Sequence, residues 1–441
     1  QNPGHVQLPP KMQSIFNKKT LSWAFYDWAN SAYTTIVITS FFPILFGSYW
    51  FTESDGNNTT PLGIANATAS LIVVILAPIL GAIADRGGLK KRFLLLFVLL
   101  GVLFVSTLSF IESGNWQVAI IVYVLSFIGF AGANIFYDAM LVDISEQEKF
   151  DVVSALGFSL GYLGGGLALL GCVIYAQPQN FGLDFITPAN DIVLIFLFTG
   201  IWWALFTLPM LFNVKEPKSS SSAPLGVAIK EGFVQLSNTF REIRQLKVVF
   251  TFLLAYWLYI DGVDTIIAMA ADYGKRIGFE QHDLIQALLI TQFVGFTAAI
   301  LYGKLGEKIG ARAALLIAIV TYIGVTIYGY FMNDVRDFYI LAIIVGLVMG
   351  GIQSLSRAFF ARIIPKNKSA EFFGFYNMIG KLAAVLGPFI MAMVSQMTGN
   401  PRLSILSIIV LFIAGGFMLL MVDEQEGMAR AREMEKMPAE E

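Results

Sequence analysis

Three polar side chains lie on one face of the first long apolar segment of the chain. Asp27, Asn30 and Thr34 are three and four residues apart, the spacing of a single helical face. Because a charged side chain inside a bilayer is costly unless it is paired or hydrated, an aspartate at such a place is a candidate functional residue. A carboxylate and an amide on one stripe, with the Tyr33 hydroxyl beside them, can bind a polar solute or carry a proton.

Further charges lie in two apolar segments of the second half of the chain. Asp261 and Asp264 are three residues apart on one predicted helical face, and Lys381 is the one basic residue deep within a segment. A lysine there needs a carboxylate partner, and Asp261 and Asp27 are the candidates. Since burial disfavours an ionised aspartate and a nearby lysine favours it, Asp27, Asp261 and Lys381 are the predicted proton-coupling residues. A permanent salt bridge that only joins helices is the alternative.

Amide and phenol groups recur in the same segments, where they could cradle a small solute. With the charges above they form the predicted solute-binding set: Asp27, Asn30, Tyr33, Asn134, Tyr259, Asp261, Asp264, Gln353, Asn377 and Lys381. Asp138 and Arg357 lie nearer the predicted ends of their segments. We expect these two either to take part in gating or to hold a helix end or a helix interface.

One motif occurs twice in the chain. Its positions are glycine, acid, base, glycine and base: Gly81, Asp85, Arg86, Gly88 and Lys90 in the first copy, and Gly303, Glu307, Lys308, Gly310 and Arg312 in the second, each 222 residues later. A repeat over this distance in so apolar a chain predicts a membrane protein made of two related halves. Both copies are expected in short loops between long apolar segments.

The motif has the residue types that a gate requires. A carboxylate at Asp85 can accept hydrogen bonds from free backbone N–H groups at the positive end of a neighbouring helix. The basic residues can pair with carboxylates on adjacent helices and so close one side of the protein in one state and release it in another. The first copy is expected to be the stronger latch. The alternative is that the basic loops only fix the orientation of the chain.

These residues must be positioned by helices that cross a membrane. Hydrophobic residues make up 56% of the 441-residue chain and charged residues 14%, so lipid must be its solvent. A bilayer core about 30 Å thick needs about 20 apolar helical residues. Twelve such spans are predicted, at 21–50, 62–84, 93–111, 117–141, 152–176, 190–212, 247–273, 284–303, 313–331, 338–361, 371–397 and 402–422. The predicted class is an all-α membrane protein with two pseudo-symmetric six-helix bundles.

Lysine and arginine are unevenly divided between the two sides of these spans. The even-numbered loops and the two tails hold 24 of the 29, and the odd-numbered loops hold four. The positive-inside rule then places both termini and both copies of the motif in the cytoplasm. The predicted divisions are a cytoplasmic N-terminal segment at 1–20, a first bundle at 21–212, a cytoplasmic linker with an amphipathic helix at 213–246, a second bundle at 247–422 and a cytoplasmic tail at 423–441.

Several classes of function are disfavoured by the residues present. One cysteine excludes an internal disulfide, and two histidines leave little for a zinc site. The sequence carries neither a phosphate-binding Gly-x-x-x-x-Gly-Lys-Ser/Thr loop nor a His-Glu-x-x-His zinc motif. We therefore expect no enzyme activity, cofactor, metal or nucleic-acid partner. The expected partners are a small-molecule substrate, the lipid bilayer and protons, and the protein is expected to be a monomer.

The repeated motif resembles the signature loop of the major facilitator superfamily. Five further stretches resemble the autophagy-related vacuolar effluxer family and its bacterial relatives: residues 26–33 (YDWANSAY), 154–166 (SALGFSLGYLGGG), 259–265 (YIDGVDT), 351–357 (GIQSLSR) and 371–377 (EFFGFYN). The resemblance covers nearly all of the chain. It implies a cavity bordered by spans one, four, seven and ten, alternating access, and export of amino acids as in the fungal members. A bacterial inner membrane is the expected location.

The fifth span is rich in glycine. Its glycines allow close helix contact and resemble the superfamily's antiporter motif, Gly-x-x-x-Gly-Pro-x-x-Gly-Gly: Gly157, Gly161, Gly164, Gly165 and Gly166. Tyr162 stands where that motif has proline, which weakens the inference of antiport. Close packing alone also explains the glycines.

The predicted function is secondary transport of a small polar or amphipathic organic solute by alternating access, coupled to protons. An amino acid is one candidate solute. A lipid or lysolipid flippase of the same fold is the alternative within transport. A membrane sensor that does not transport is a more distant alternative, because the chain lacks a sizeable signalling domain.

Overall fold

The computed structural model describes residues 16–51, 59–177, 191–215, 246–276, 281–383 and 385–436. Twelve helical segments in these ranges are long and apolar enough to cross a membrane. They are numbered span 1 to span 12 in chain order: Lys18–Trp50, Thr60–Gly87, Lys90–Phe110, Trp116–Ile144, Gln147–Ala176, Leu194–Asn213, Lys247–Ala268, Asp283–Ile309, Ala311–Phe331, Val335–Ile363, Lys366–Thr398 and Arg402–Leu420. The predicted all-helical membrane architecture is confirmed, with span ends that differ by a few residues.

Several spans contain more than one helix. Span 1 is an α-helix followed by π-helical and α-helical turns: Lys18–Ala32, Tyr33–Phe41, Phe42–Leu45 and Phe46–Trp50. Pro43 lies among these turns and has no N–H to donate to the preceding turn, so a regular α-helix cannot continue unchanged through it. The longer π-type hydrogen bonds on either side keep the segment helical across the proline.

The remaining helices are long and mostly uninterrupted. The α-helices are Thr59–Gly87, Lys90–Thr107, Trp116–Ala139, Leu141–Ile144, Phe150–Ala176, Leu194–Asn213, Lys247–Arg276, Gln281–Ile309, Ala311–Phe331, Val335–Ile363, Ser369–Leu382, Leu386–Thr398, Pro401–Leu406, Ile409–Leu420 and Glu424–Lys436. Three short 3₁₀ turns are Leu108–Phe110, Gln147–Lys149 and Lys366–Lys368. Large apolar side chains such as Leu99 and Phe212 face outwards along the spans, as expected where lipid is the solvent.

Spans 1–6 form a first bundle and spans 7–12 a second. The bundles meet chiefly where span 2 and span 4 contact the first helix of span 11, and where span 5 contacts spans 8 and 10. Both copies of the motif lie at one end of the two bundles, here called the motif end; the other is called the opposite end. The contacts between bundles that position the functional side chains are described below.

Both copies of the motif lie at the ends of helices, so the expectation of loops is wrong. Helix Thr59–Gly87 includes Asp85 and Arg86, and Gly88 and Leu89 alone separate it from the next helix. In the second copy, Gly310 alone separates two helices. Gly88 and Gly310 have φ angles of +59° and +88°, which residues with a side chain rarely adopt. These two glycines permit the tight turns.

The first glycine of each copy has another purpose. A Cβ on Gly81 would lie 2.2 Å from the carbonyl oxygen of Ala370, in the opposite bundle. A Cβ on Gly303 would lie 2.5 Å from the Cβ of Ala155, again across the boundary between bundles. The repeated glycine therefore lets one bundle approach the other closely at the motif end.

Span 11 is broken near its middle, between helices Ser369–Leu382 and Leu386–Thr398. Pro388 falls in the first turn of the second helix, where the missing N–H of a proline is tolerated. The break leaves the first backbone N–H groups of that helix without partners in the preceding turn, at a depth where water is scarce. A side chain from another span must supply acceptors.

The final helix of the chain, Glu424–Lys436, is called the tail helix. It packs on spans 7 and 10 of the second bundle. A Cβ on Gly427 would lie 2.7 Å from Ile363 and 2.9 Å from Val248, so this glycine allows the close contact. The amphipathic helix predicted in the linker and most of the predicted N-terminal segment lie outside the described residues.

Candidate functional site

Arg357 of span 10 extends out of its own bundle into a socket in the first bundle. The socket is formed by spans 1, 4 and 5: Trp23, Asp27, Tyr137, Asp138, Ser154 and Phe158. Nη1 of Arg357 donates to Oδ1 of Asp138 at 3.0 Å, and Nη2 lies 3.5 Å from Oδ2 of Asp27. Nε donates to the Ser154 hydroxyl at 2.9 Å, and Nη2 donates to the Ser154 carbonyl at 3.0 Å.

Three aromatic rings complete the socket. The guanidinium carbon of Arg357 lies 5.0 Å, 5.2 Å and 4.3 Å from the ring centroids of Trp23, Tyr137 and Phe158. Arg357 is 2% exposed. Its charge is thus compensated by partners in the first bundle. Removing one partner of such a buried ion pair destabilises a protein by about 3–5 kcal/mol. One guanidinium faces two carboxylates, so the centre has an excess negative charge when both are ionised.

Neighbouring groups hold the two carboxylates in place. The Tyr137 hydroxyl donates to Oδ2 of Asp27 at 2.9 Å. Asn377, on span 11 of the second bundle, donates to Oδ2 of Asp138 at 3.1 Å. A Cβ on Gly157 would lie 2.9 Å from Asp27 Oδ2 and 3.0 Å from Nη2 of the arginine. The glycine therefore leaves the space that the guanidinium occupies.

Lys381 does not pair with Asp261 or Asp27, so that expectation is wrong. Its charge interacts instead with Asp264, one helical turn from Asp261 on span 7. Nζ of Lys381 also lies 5.1 Å from the centroid of the Phe127 ring, in the first bundle. No direct ion pair joins these two described residues, Lys381 and Asp264, and both are partly exposed. The two opposite charges therefore interact without forming a direct ion pair.

Asp261 supplies the acceptors that the break in span 11 requires. Its Oδ2 accepts from the backbone N–H of Leu386 at 2.9 Å, and Oδ1 accepts from the N–H of Gly387 at 2.7 Å. The Thr265 hydroxyl donates to Oδ1 at 3.2 Å. The carboxylate is fully buried and lies at the positive end of the helix dipole. In this state Asp261 caps a helix and has no surface that a solute can reach.

The other predicted solute ligands fall into two groups by accessibility. Asn134, Gln353 and Asn377 are partly exposed, like Asp264 and Lys381. Gln353 accepts from the Tyr162 hydroxyl at 2.9 Å, across the boundary between bundles. Tyr162 stands where the antiporter motif has proline, and its hydroxyl forms this hydrogen bond between the bundles.

Three predicted ligands are buried within their own bundles. The Asn30 amide donates to Asn134 at 2.6 Å. Tyr33 is fully buried with its hydroxyl 2.7 Å from Ser126, and Tyr259 is fully buried with its hydroxyl 2.6 Å from Ser356. In this state these phenol groups bind side chains of their own bundle. The partner of Asn30, Asn134, is itself partly exposed.

The first copy of the motif joins the two bundles at the motif end. Asp85 accepts from the backbone N–H groups of Ala370 and Glu371 at 3.1 Å and 2.8 Å, in the first turn of span 11's first helix. Nζ of Lys90 lies 3.3 Å from Oδ1 of Asp85 and 3.1 Å from Oδ2 of Asp143. It also donates to the hydroxyl of Ser369 at 2.7 Å. Arg86 lies in the last turn of the helix that carries Asp85.

The second copy is arranged differently. Glu307 and Lys308 are exposed, and Arg312 donates to the Val422 carbonyl at 2.9 Å within its own bundle. Apart from the close approach of Gly303, the ion pair between bundles here is formed by residues outside the motif. Arg362 of span 10 pairs with Asp151 of span 5 at 2.5 Å.

Arg362 also connects the tail helix to this contact. Its other guanidinium nitrogen pairs with Glu424 at 3.0 Å. Its backbone carbonyl accepts from the Gln147 side chain of span 5 at 3.0 Å, and Arg432 of the tail helix donates to Gln147 at 3.4 Å. Asp151 of the first bundle and Glu424 of the tail helix, which packs on the second bundle, therefore pair with the same arginine.

Polar contacts between the bundles run from the motif end inwards. Deeper than Arg362, the Ser154 hydroxyl donates to the Ser354 carbonyl at 2.7 Å, and the Ser159 hydroxyl to the Phe296 carbonyl at 2.8 Å. Tyr162, whose contact with Gln353 was described above, lies about halfway along span 5. The second helix of span 11, by contrast, packs on span 7 and on Pro401–Leu406 of its own bundle.

Sequence reasoning missed several residues that complete these networks: Trp23, Asp143, Ser154, Phe158, Asp151, Arg362 and Glu424. One signal was present for Asp151, which occupies the first turn of helix Phe150–Ala176 as Glu371 occupies the first turn of helix Ser369–Leu382, 220 residues later. The aromatic residues had no signal, because their spacing also fits ordinary packing. Among the described residues, no three histidine, cysteine or acidic side chains converge as a metal site would require.

A family model described as "Vacuole effluxer Atg22 like" matches residues 54–432. The chain belongs to this Atg22-like family. Its relatives include the "Uncharacterized MFS-type transporter YxiO" of Bacillus subtilis, 40% identical over 432 residues, which are 97% of this chain and 100% of that protein. Autophagy-related protein 22 of Yarrowia lipolytica is 25% identical over 316 residues, 64% of this chain and 52% of that protein.

The fold of this Atg22-like protein is that of the major facilitator superfamily. The structure of the superfamily's proton:xylose symporter XylE, bound to 6-bromo-6-deoxy-D-glucose, superposes with a TM-score of 0.67 at 13% identity, covering 96% of this chain and 98% of that one. With the twelve apolar spans, these comparisons identify the chain as an integral multi-pass membrane protein of a transporter family.

Proposed function

We propose that this Atg22-like protein is a secondary transporter that moves a small polar or amphipathic organic solute by alternating access. The observation that carries the proposal is the position of Arg357. A buried cation of one bundle has its described charged and aromatic partners in the other bundle, so the bundles cannot separate at the motif end without exposing it to new surroundings. Such a contact has two discrete arrangements, as an alternating mechanism requires.

The proposed state of this structure is outward-facing. The charge distribution favours a cytoplasmic motif end and cytoplasmic termini, and the 40% identity with the Bacillus subtilis protein favours a bacterial inner membrane. The gate comprises Asp85, Arg86 and Lys90 from the first copy of the motif, with Asp138 and Arg357 deeper in. Glu307, Lys308 and Arg312 of the second copy assist from the surface.

The proposed solute site is the space that Asp264 and Lys381 share. Asn134, Gln353 and Asn377 border the same boundary between bundles and remain partly exposed. A lysine and an aspartate that do not touch can bind the two ends of one solute, which favours a zwitterion such as an amino acid. The family description as an effluxer favours export as the direction. The transporter is proposed to act as a monomer.

Proton coupling is proposed for the acidic groups that change surroundings between states. Asp27 lies beside Arg357 while the motif end is closed and loses that partner when it opens. The mutual interaction of Asp264 and Lys381 is replaced by interactions with the solute when the solute binds. Asp261 accepts hydrogen bonds from the break in span 11 in one state and loses them in the other. A carboxylate that loses a cationic partner inside a membrane binds a proton more readily.

The experiment uses purified protein in sealed vesicles. A thermal-shift screen against amino acids, peptides, sugars and lipids first finds a binder, and uptake of that compound is then measured with and without an imposed pH gradient. Lys381→Met should abolish uptake while leaving the melting temperature nearly unchanged, because the lysine forms no direct ion pair with another described residue. The exposed Lys436→Met is the matched control and should transport.

Three results would each contradict a part of the proposal. Binding without uptake in tightly sealed vesicles would exclude transport of that compound. Uptake that Lys381→Met does not impair would remove the site between Asp264 and Lys381, even if transport itself remained. A pH gradient without effect on the rate would remove proton coupling alone.

A further inference from the structure

The socket around Arg357 has the composition of a binding site. The polar groups that contact the guanidinium are all acceptors: one oxygen from each of Asp27 and Asp138, and the hydroxyl and carbonyl of Ser154. They approach three different nitrogens of one planar group. Its walls are aromatic faces, which attract cations through their ring electrons. Carboxylates and aromatic rings arranged in this way recognise a planar organic cation.

Arg357 belongs to the opposite bundle from every one of these groups. If the bundles separate at the motif end, as alternating access requires, the arginine moves away with span 10. The socket then keeps its two carboxylates and three rings, because all of them belong to spans 1, 4 and 5. Two ionised carboxylates without a cation inside a membrane are strongly unfavourable, so the vacated socket binds either a proton, as proposed above for Asp27, or another cation.

We infer that this socket is a binding site for the guanidinium group of an organic solute, occupied by Arg357 when the motif end is closed and by the solute when it is open. The inference rests on the proposed alternating access and adds a second subsite to it, nearer the motif end than the space between Asp264 and Lys381. Arg357 acts there as a tethered competitor. Its return displaces the solute's cation deeper into the protein or back to the motif side, and it closes the same end.

The arrangement of the acceptors favours a guanidinium. Gly157 leaves open the space that Nη2 of Arg357 occupies, since a Cβ at this position would lie 3.0 Å from that nitrogen. The fork of Nε, Nη1 and Nη2 meets separate acceptors, whereas a primary ammonium presents a single centre. A planar, monosubstituted guanidinium therefore fits better than an alkyl ammonium, and a neutral urea of the same shape should bind poorly.

The first test uses the variant Arg357→Ala, which vacates the socket. Its binding of methylguanidinium and of neutral methylurea is measured by calorimetry on purified protein in lipid nanodiscs. Methylguanidinium is expected to bind at least about tenfold more tightly than methylurea, a difference that corresponds to about 1.4 kcal/mol. The double variant Arg357→Ala/Asp138→Asn should lose this preference. Equal affinity for the two probes in the single variant would overturn the inference.

The second test needs no change to the socket. Spin labels at the exposed positions Glu148 and Asn367, one in each bundle at the motif end, report the distance between bundles by electron–electron resonance. In the otherwise wild-type protein, methylguanidinium should increase the population with the longer distance by competing with Arg357, and methylurea should not. If Arg357→Ala fails to fold, this measurement decides alone, and an unchanged distance distribution with both probes would overturn the inference.

The two proposals fail in different ways. If gate variants such as Asp85→Asn change the distance but methylguanidinium does not, the subsite is wrong and alternating access stands. If no variant and no probe changes the distance, alternating access itself is wrong. Binding of methylguanidinium to Arg357→Ala would then show a socket without a transport cycle, which also overturns the inferred role.

Discussion

Asp85→Asn is the perturbation that most directly tests the closed motif end. The carboxylate accepts two backbone hydrogen bonds from the start of span 11 and pairs with Lys90 at 3.3 Å. Asparagine keeps one acceptor oxygen, so one N–H of the opposite bundle loses its partner. The negative charge beside the helix N-terminus and Lys90 is lost as well, while Lys90 keeps its contact with Asp143.

The magnitude follows from these losses. A hydrogen bond to a charged group contributes about 1.5–3 kcal/mol, and a charge at a partly buried helix end adds about 1 kcal/mol. The sum is about 3 kcal/mol against closure. Because each 1.4 kcal/mol is a factor of about ten in an equilibrium constant, the ratio of closed to open molecules should fall about 100-fold. A closed population of about 99% would become about half.

The assay is the distance between spin labels at Glu148 and Asn367, which lie in opposite bundles. The matched control is Asp337→Asn. Asp337 also accepts a backbone hydrogen bond, from Asn333 at 3.0 Å, and a hydroxyl bond from Tyr328 at 3.0 Å, but all of these residues belong to the second bundle. The control should leave the distance unchanged. An Asp85→Asn protein with the wild-type distance distribution, or a control that shifts equally, would refute the reasoning.

Three further outcomes are expected from single substitutions. Gly81→Ala should prevent closure in the same spin-label measurement, since its Cβ would lie 2.2 Å from a carbonyl oxygen of the opposite bundle, whereas Gly63→Ala, with nothing within 4 Å, should not. Asp261→Ala should lower the melting temperature, because a side chain that caps a helix contributes about 0.5–2 kcal/mol to stability. Asp261→Asn should lower it less. Equal melting temperatures for the wild type and both variants would argue against the cap. Glu424→Gln should raise the closed population, because Arg362 then has Asp151 as its one carboxylate partner among the described residues. A fall in the closed population would contradict this view of the tail helix.

The membrane architecture could be predicted because it depends on quantities that the sequence contains directly. Helix number follows from the length of the apolar segments, and the doubled organisation follows from the repeated motif. The same is true of the candidate polar residues, since a charge inside an apolar segment is visible without coordinates. Asp27, Asp138, Arg357 and Lys381 were all identified in this way.

Pairings among those residues could not be predicted. Lys381 was expected to meet Asp261 or Asp27, yet its charge interacts with Asp264, and Asp27 lies beside Arg357. Spacing along one helix places residues on a common face, but it contains no information about the rotation and depth of the facing helix. A shift of one helical turn is enough to exchange Asp261 for Asp264.

The motif shows the same division. Its residue types indicated an acid at a helix terminus and bases near other acids, and the expected kind of contact is present at Asp85. Three features depend on how the two bundles approach each other. They are the contact of Asp85 with the second bundle, the close approach at Gly81, and the ion pair of Arg362 with Asp151 beside the second copy. That approach is the sum of many packing contacts between distant segments.

Composition, the positions of the apolar segments and the spacing of the repeat are therefore sufficient to predict a membrane protein of twelve spans in two related halves with charges inside it, because these properties are local along the chain. The socket around Arg357, the cap on the broken span and the contacts that close the motif end exist only in the folded protein. Each joins residues more than 100 positions apart. A charged or polar group inside the membrane is stabilised only by a partner, and no single segment supplies that partner alone.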